Sequence, residues 1–253
     1  MKNLPVIISL LISVICVGVD TNAQVRRTTE EEQIWFGFFN QTRYNNRWGT
    51  WLDVHLRTKE DFTNNLSQFL ARFAATYYIN DEAKLSLGYS FINHFPADNH
   101  KNISQPEHRP WQQIQWHDRH TNIRLMHWLR LEERYRRKIL NDNELADGYS
   151  FNLRARYNIL AQFPLSKRKF QKGTFSFVVN NEVFINAGNQ IVYNIFDQNR
   201  FFVGFHYHVT KSDNLQFGYM NMFQQLAAGD SFRNNHIFRL FYFQNLDLRK
   251  SSK

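Results

Sequence analysis

The sequence predicts an all-β protein, an up-and-down antiparallel transmembrane β-barrel of about 10–12 strands. Three observations predict it. Apolar and polar residues alternate with a period of two along most of the chain, and a strand sends successive side chains to opposite faces. The alternating segments run to roughly 10–15 residues, enough to cross a bilayer when tilted. Connections rich in turn residues separate them, alternately short and long.

The first strand is "QIWFGFFNQ" (33–41), with Ile34, Phe36 and Phe38 on one side. "WGTWLDVHLR" (48–57) sets Leu52, Val54 and Leu56 against Trp51, Asp53, His55 and Arg57. "LSQFLARFAATYYI" (66–79) sets Phe69, Phe73 and Tyr77 against Gln68, Arg72 and Thr76. "AKLSLGYSFINHF" (83–95) and "PWQQIQWHDR" (110–119) follow the same rule. "NIRLMHWLRLEERYRRK" (122–138) contains enough Leu, Arg and Glu to suggest a helix. Its apolar residues do not recur at i, i+3, i+4 and i+7, as a core-facing helix requires. They alternate: Leu125, Leu129, Leu131 and Tyr135 oppose Arg124, Met126, Trp128, Arg130, Glu132, Arg134 and Arg136.

"YSFNLRARYNILAQF" (149–163) is the clearest strand, with Phe151, Leu153, Tyr157 and Ile159 opposite Asn152, Arg154, Arg156 and Asn158. "TFSFVVNNEVFIN" (174–186) places Ser176, Asn180 and Glu182 on its polar side, and "RFFVGFHYHV" (200–209) places Arg200, His206 and His208 there. "NLQFGYMNMFQQ" (214–225) and "NHIFRLFYFQN" (235–245) complete the series. Short turns are expected near 45–46, 80–82, 120–122 and 211–214. Longer loops are expected at 96–109, 139–147, 187–199 and 226–234, with 164–173 long on the short-turn side. Eleven segments conflict with the even strand number of single-chain bacterial barrels, so twelve is favoured within the range.

Residues 1–23 have the layout of a secretory signal: Lys2, an apolar run, then Thr21, Asn22 and Ala23 before Gln24. The only cysteine, Cys16, lies inside that run behind Ile15, which is not the small residue a lipoprotein signal needs. The exported chain would then have no disulfides. Residues 24–31 are expected as a flexible lead-in and 32–253 as the barrel. The formal charge of +9 suggests anionic lipid head groups rather than nucleic acid as the partner of an exported protein. A monomer in the outer membrane of a Gram-negative bacterium is the expected state. No later run of apolar residues is long enough for a transmembrane helix.

If the apolar ribbons face lipid, the opposite face is a lumen. Asp53, Arg57, Arg72, Arg124, Arg130, Glu132, Arg134, Arg154, Arg156, Glu182 and Arg200 are then expected to form a charge network there, with Arg239 as a further member. An arginine facing lipid costs about 2–4 kcal/mol near the midplane, whereas inside it can pair with carboxylates. Such side chains are expected to fill a narrow lumen and leave little steady conductance. An anion path, or a site for a phosphorylated or acidic molecule, is the sharper alternative.

His206 and His208 share a strand face near Glu182, but no third ligand is fixed by spacing, and no metal is assigned. Ser86, Ser90, Ser150 and Ser176 are candidate nucleophiles by direction only, without a G-x-S-x-G elbow. No P-loop or Rossmann fingerprint is present, so no cofactor is expected and no catalytic residue is assigned. A non-enzymatic structural, binding or narrow-transport role is favoured over a lipid- or glycan-modifying enzyme or a soluble periplasmic ligand-binding barrel.

The order of "EEQIWFGFFNQ", "LRLEERYRR", "FNLRARYNI", "NNEVFIN", "FDQNRFFVGFHYHVT", "LQFGYMNMFQQ" and "NNHIFRLF" resembles a bacterial family, domain of unknown function 2490, common in Bacteroidetes. The resemblance spans nearly the whole exported chain. It implies an outer-membrane barrel and supplies no catalytic residue, since that family has no assigned activity.

Overall fold

The computed structural model describes residues 27–97 and 100–249. The expected signal at 1–23 lies outside these residues. Among the described residues there are eleven strands: β1 (Arg27–Arg43), β2 (Trp48–Lys59), β3 (Asn65–Tyr78), β4 (Ala83–His94), β5 (Gln105–Arg119), β6 (Arg124–Asn141), β7 (Glu144–Pro164), β8 (Phe175–Ala187), β9 (Phe196–His208), β10 (Asp213–Gln225) and β11 (Ser231–Asp247). Each pairs with its sequence neighbours, and β1 pairs with β11 to close the barrel. The arginine-rich segment around 122–138 is strand, not helix.

The closure corrects two expectations. Eleven strands lie within the expected 10–12, but the number is odd where the even twelve was favoured, and the pairing is not antiparallel throughout. β1 and β11 run parallel in unbroken register from Arg27↔Ser231 to Arg43↔Asp247. With ten antiparallel steps between them, an odd count puts first and last strands in the same direction, so a parallel ladder is the only way to close. Phe39 stacks on Phe243 inside this seam at 4.5 Å, and Phe38 stacks on Tyr242 outside it at 6.1 Å. The parallel pairing also recruits Arg27 to Glu31 into β1, where a flexible lead-in was expected.

Connections 44–47, 79–82, 120–123, 165–174 and 209–212 share one rim; 60–64, 95–104, 142–143, 188–195 and 226–230 share the other. The second is the loop rim. All four long loops expected there are shorter in the structure, two of them for a clear reason. β6 and β7 continue through 139–147 as an extended hairpin turning at 142–143, and β5 begins at Gln105. Pro106 and Pro110 lie in β5 on its outward alternates, leaving Gln105, Glu107, Arg109 and Trp111 buried inside. The β5–β6 ladder omits Arg109 and Pro110 and keeps the same register on either side, as a strand carrying proline must.

The alternation is a facing rule. Leu87, Phe73 and Leu129 are 64%, 60% and 49% exposed on the outer wall. Trp111, Phe184, Phe202 and Ile237 have no exposed surface and point inward. Glycines let the inner rings lie against the wall: a Cβ on Gly88 would stand 2.6 Å from Trp111, and one on Gly204 would stand 2.6 Å from Phe202. Trp35, Met220, Met222, Ile237 and Phe241 make an apolar inner wall over β1, β10 and β11.

Facing is tested at adjacent positions of β7. Leu153→Arg should cost about 2–4 kcal/mol on the outer wall if that wall meets lipid. Asn152→Arg, aimed into the lumen, should leave the amount of heat-modifiable folded barrel in membrane fractions nearly unchanged. Equal recovery of both variants would refute the facing assignment.

Candidate functional site: an arginine-lined lumen

Five buried carboxylates organise the interior: Asp53, Glu107, Glu132, Glu182 and Asp197. A carboxylate away from water must be paired and hydrogen-bonded to remain charged. Asp53 on β2 accepts from Trp51 Nε1 at 2.5 Å and from Arg72 Nε at 2.9 Å, and lies 2.9 Å from His55 Nε2. Arg72 is its cross-strand partner on β3. Glu107 on β5 accepts from Arg109 at 2.6 Å, Arg134 at 2.7 Å and Arg136 at 3.0 Å, with His94 Nε2 at 2.9 Å.

Glu132 on β6 has no exposed surface. It accepts from Arg154 Nη2 at 2.6 Å and Arg156 Nη1 at 2.5 Å, with Arg109 at 3.5 Å and Arg130 at 4.0 Å. Arg156 also donates to Glu182 through Nε at 2.7 Å, and Arg154 donates to Asp197 at 2.9 Å. Asp197 points inward because it occupies a bulge: β8 residues Phe184 and Ile185 pair with Gln198 and Phe196, which leaves Asp197 unmatched. At the turn rim Arg43 donates to Asp81 at 2.6 Å. That hydrogen bond holds the Asp81 carboxyl below its usual range.

Other inward arginines, Arg57, Arg200 and Arg239, form no ion pair among the described residues, and Arg130 only a long one. Arg57 lies over Trp35 at 3.6 Å and donates to Gln68. Arg200 lies 4.9 Å from Trp35 and 4.5 Å from Phe184. Arg239 lies 3.6 Å from Phe202 and donates to Gln216. Arg130 reaches Gln113 and stacks on Trp111 at 4.2 Å, with Glu132 only at the edge of its reach. Cation–π contact substitutes in part for the missing counter-charge.

The side chains leave a cavity of about 1350 Å³, lined from Ala97, His100 and Gln190 at the loop rim to Asp81, Arg119 and Phe170 at the turn rim. The inward arginines therefore narrow the lumen without filling it.

Of the residues singled out in the sequence, Asp53, Arg72, Arg130, Glu132, Arg134, Arg154, Arg156 and Glu182 meet in ion pairs. Arg57 and Arg200 share the lumen but rest on aromatic rings. Arg124, expected in the network, lies apart. It begins β6 at the turn rim, away from the buried carboxylates, and stacks on Phe170 at 3.8 Å. Sequence reading missed Glu107 and Arg109, because two prolines disguised their strand as loop. The inward run Gln105, Glu107, Arg109, Trp111, Gln113 was the available signal. Asp197 was missed because it falls in the expected loop 187–199, whereas β9 begins at Phe196.

Near the turn rim, Ser176 Oγ lies 3.0 Å from His208 Nε2, and His208 Nδ1 lies 2.8 Å from Asn214 Oδ1. This is the order of contacts in a nucleophile, base and orienting group. Ser176, however, has no exposed surface. Gln162 Nε2 also approaches His208 Nε2 at 3.3 Å, and Phe170 stands edge-on to the imidazole at 6.1 Å. The arrangement satisfies buried polar groups and offers a substrate no approach to the oxygen. Among the other serines, Ser86 bonds Thr76 and Ser150 donates to the Arg136 carbonyl. Glu182 is engaged by Arg156 rather than turned to a metal with His206 and His208, and no group of three potential metal ligands occurs among the described residues.

Three outcomes are expected. Glu132→Gln leaves Arg154 and Arg156 short of a counter-charge and should cost about 3–5 kcal/mol, read as a lower temperature at which the folded band is lost on a gel. Glu182→Gln, which has one arginine partner, should cost less. A fluorophosphonate probe should not label Ser176 in the folded protein; labelling abolished by Ser176→Ala would show that the serine is reachable.

No curated protein matches the chain. A solved structure, a NanC porin in a rhombohedral crystal form, shares 14% identity over 75% of this chain and 87% of its own, with a TM-score of 0.42. That likeness is too loose to reason from. The model of one family, described as protein of unknown function (DUF2490), matches residues 32–233, and the chain belongs to that family.

Proposed function

We propose that the protein is a monomeric outer-membrane β-barrel, exported behind a signal at residues 1–23, whose lumen binds small anions and passes them slowly. The observation that carries this reading is the cavity lined from rim to rim by arginines that outnumber the carboxylates facing them. Fixed positive charge in a cleft with low-dielectric walls concentrates anions. A volume of about 1350 Å³ holds on the order of forty water molecules at ~30 Å³ each.

The outer wall supports a membrane setting. Besides its exposed Leu and Phe, it carries histidines hydrogen-bonded to tyrosines of neighbouring strands: His127 to Tyr157 at 2.9 Å, His236 to Tyr219 at 2.7 Å, and His108 to Tyr89. Polar tips satisfied in this way suit an apolar surround. The soluble-barrel alternative would leave this wall in water. In the 165–174 connection, Lys167, Arg168, Lys169 and Lys172 suit anionic head groups at the turn rim. The enzyme reading retains one specific observation, the Ser176–His208–Asn214 contacts, and the burial of Ser176 opposes it.

Reconstituted into liposomes, the purified protein should release chloride and small organic anions faster than protein-free vesicles and slower than an open general porin. In a planar bilayer under a KCl gradient, the reversal potential should favour chloride. Preference for potassium, or release no faster than from empty vesicles, would overturn the passage reading.

A further inference from the structure

Arg57 and Arg200 form no ion pair among the described residues, and both lie against one aromatic ring. Arg57 on β2 and Arg200 on β9 approach Trp35 at 3.6 and 4.9 Å. Arg57 stands in register with Trp35 across the β1–β2 ladder. Arg200 starts three strands away from Trp35 around the closed wall, in the order β9, β10, β11, β1, so its side chain reaches across the lumen. Trp35 is 3% exposed, so the guanidiniums lie beside a buried ring.

Their hydrogen bonding is incomplete. Arg57 has one acceptor, Gln68 Oε1 at 2.8 Å, and its Nε is buried without one. Arg200 makes no hydrogen bond or ion pair among the described residues, and its Nε is also buried without an acceptor. The nearest cross-strand carboxylate, Glu182, is held by Arg156. A guanidinium presents a planar fork of donors that matches a carboxylate or phosphate. Both arginines line the cavity, and so do Met220, Met222 and Phe241 of the apolar wall that packs with Trp35. Unspent cationic donors thus stand next to a flexible thioether and aromatic surface.

We infer that Arg57, Arg200 and Trp35 form a binding site for a small organic oxyanion, its carboxylate or phosphate held by the two guanidiniums and its compact apolar body lying against Met220, Met222 and Phe241. The inference rests on the lumen reading above and deepens it by naming a place and a ligand chemistry. The charged head supplies the acceptors that Arg57 and Arg200 lack. The apolar body distinguishes the ligand from inorganic ions, which would use the charge alone.

The site is tested by isothermal titration of the full-length barrel in detergent with benzoate, phenyl phosphate, benzyl alcohol and inorganic phosphate. Benzoate and phenyl phosphate should bind, inorganic phosphate more weakly, and benzyl alcohol not measurably. Arg57→Gln and Arg200→Gln should each weaken benzoate at least tenfold, and Arg124→Gln should leave it unchanged. Neither substitution at the site strands a counter-charge, so the heat resistance of the folded band should hold or rise. Arg200→Lys, which keeps the charge but not the fork, should bind benzoate more weakly than the native protein. Equal affinity for benzoate and benzyl alcohol, or unchanged benzoate affinity in an Arg57→Gln, Arg200→Gln double variant that runs as folded barrel, would overturn the site. Anion release from liposomes that survives in that double variant would leave the passage reading intact; benzoate binding without any release would leave the site intact and remove the passage.

Discussion

The desolvation of Glu132 is the constraint on which the interior depends. Its carboxylate has no exposed surface and sits among Arg109, Arg130, Arg154 and Arg156. Taking one carboxylate out of water costs several kcal/mol even after relaxation, and its two oxygens offer more acceptor sites than one guanidinium fills. Glu132 meets this demand by drawing donors from three strands, β5, β6 and β7. Each donor then needs acceptors of its own, so Arg154 reaches Asp197 and Arg156 reaches Glu182. The chain of pairs ties β5 through β9 together across the lumen, where backbone ladders join only neighbours.

The same logic explains why Glu107 is buried with three arginines and a histidine near the loop rim. Two carboxylate hubs on adjacent strands share Arg109, which lies 2.6 Å from Glu107 and 3.5 Å from Glu132. Such shared donors make the network resistant to loss of an arginine and sensitive to loss of a carboxylate. β1, β10 and β11 use another device. There the inner wall is Trp35, Met220, Met222, Ile237 and Phe241, and the seam Phe39–Phe243 stack closes it. The interior is polar on one side and apolar on the other.

What was legible in the sequence was local. Alternation around Asn152 and Leu153, or around Arg130 and Leu131, reports facing directly, because the period of a strand is fixed by its backbone. The charge network followed wherever facing did. The parallel closure was implied by the eleven segments and was set aside for the even-number rule; its register, Arg27 with Ser231, joins opposite ends of the chain and no local pattern encodes it. Glu107 was lost because Pro106 and Pro110 signal a break, although both occupy outward alternates. Asp197 was lost because 187–199 reads as loop, whereas β9 begins at Phe196 and a bulge there turns Asp197 inward. Arg124 was misplaced for the opposite reason: parity gave its direction but not its height along the barrel.

The unpaired arginines and the cavity imply each other. In a dry, filled lumen, Arg200 with no hydrogen bond would carry an uncompensated charge in a low-dielectric interior, at a cost comparable to the stability of a whole domain. Water or an anion must therefore reach it, and space of about 1350 Å³ lies alongside. The reverse also holds. A cavity of that size walled by Trp35, Met222 and Phe241 alone would favour collapse of the wall, because apolar voids forfeit packing. Arginine stems stacked on those rings cover the apolar surface while their heads keep the space hydrated. Surplus charge is thus what holds the lumen open, and the open lumen is what makes the surplus tolerable.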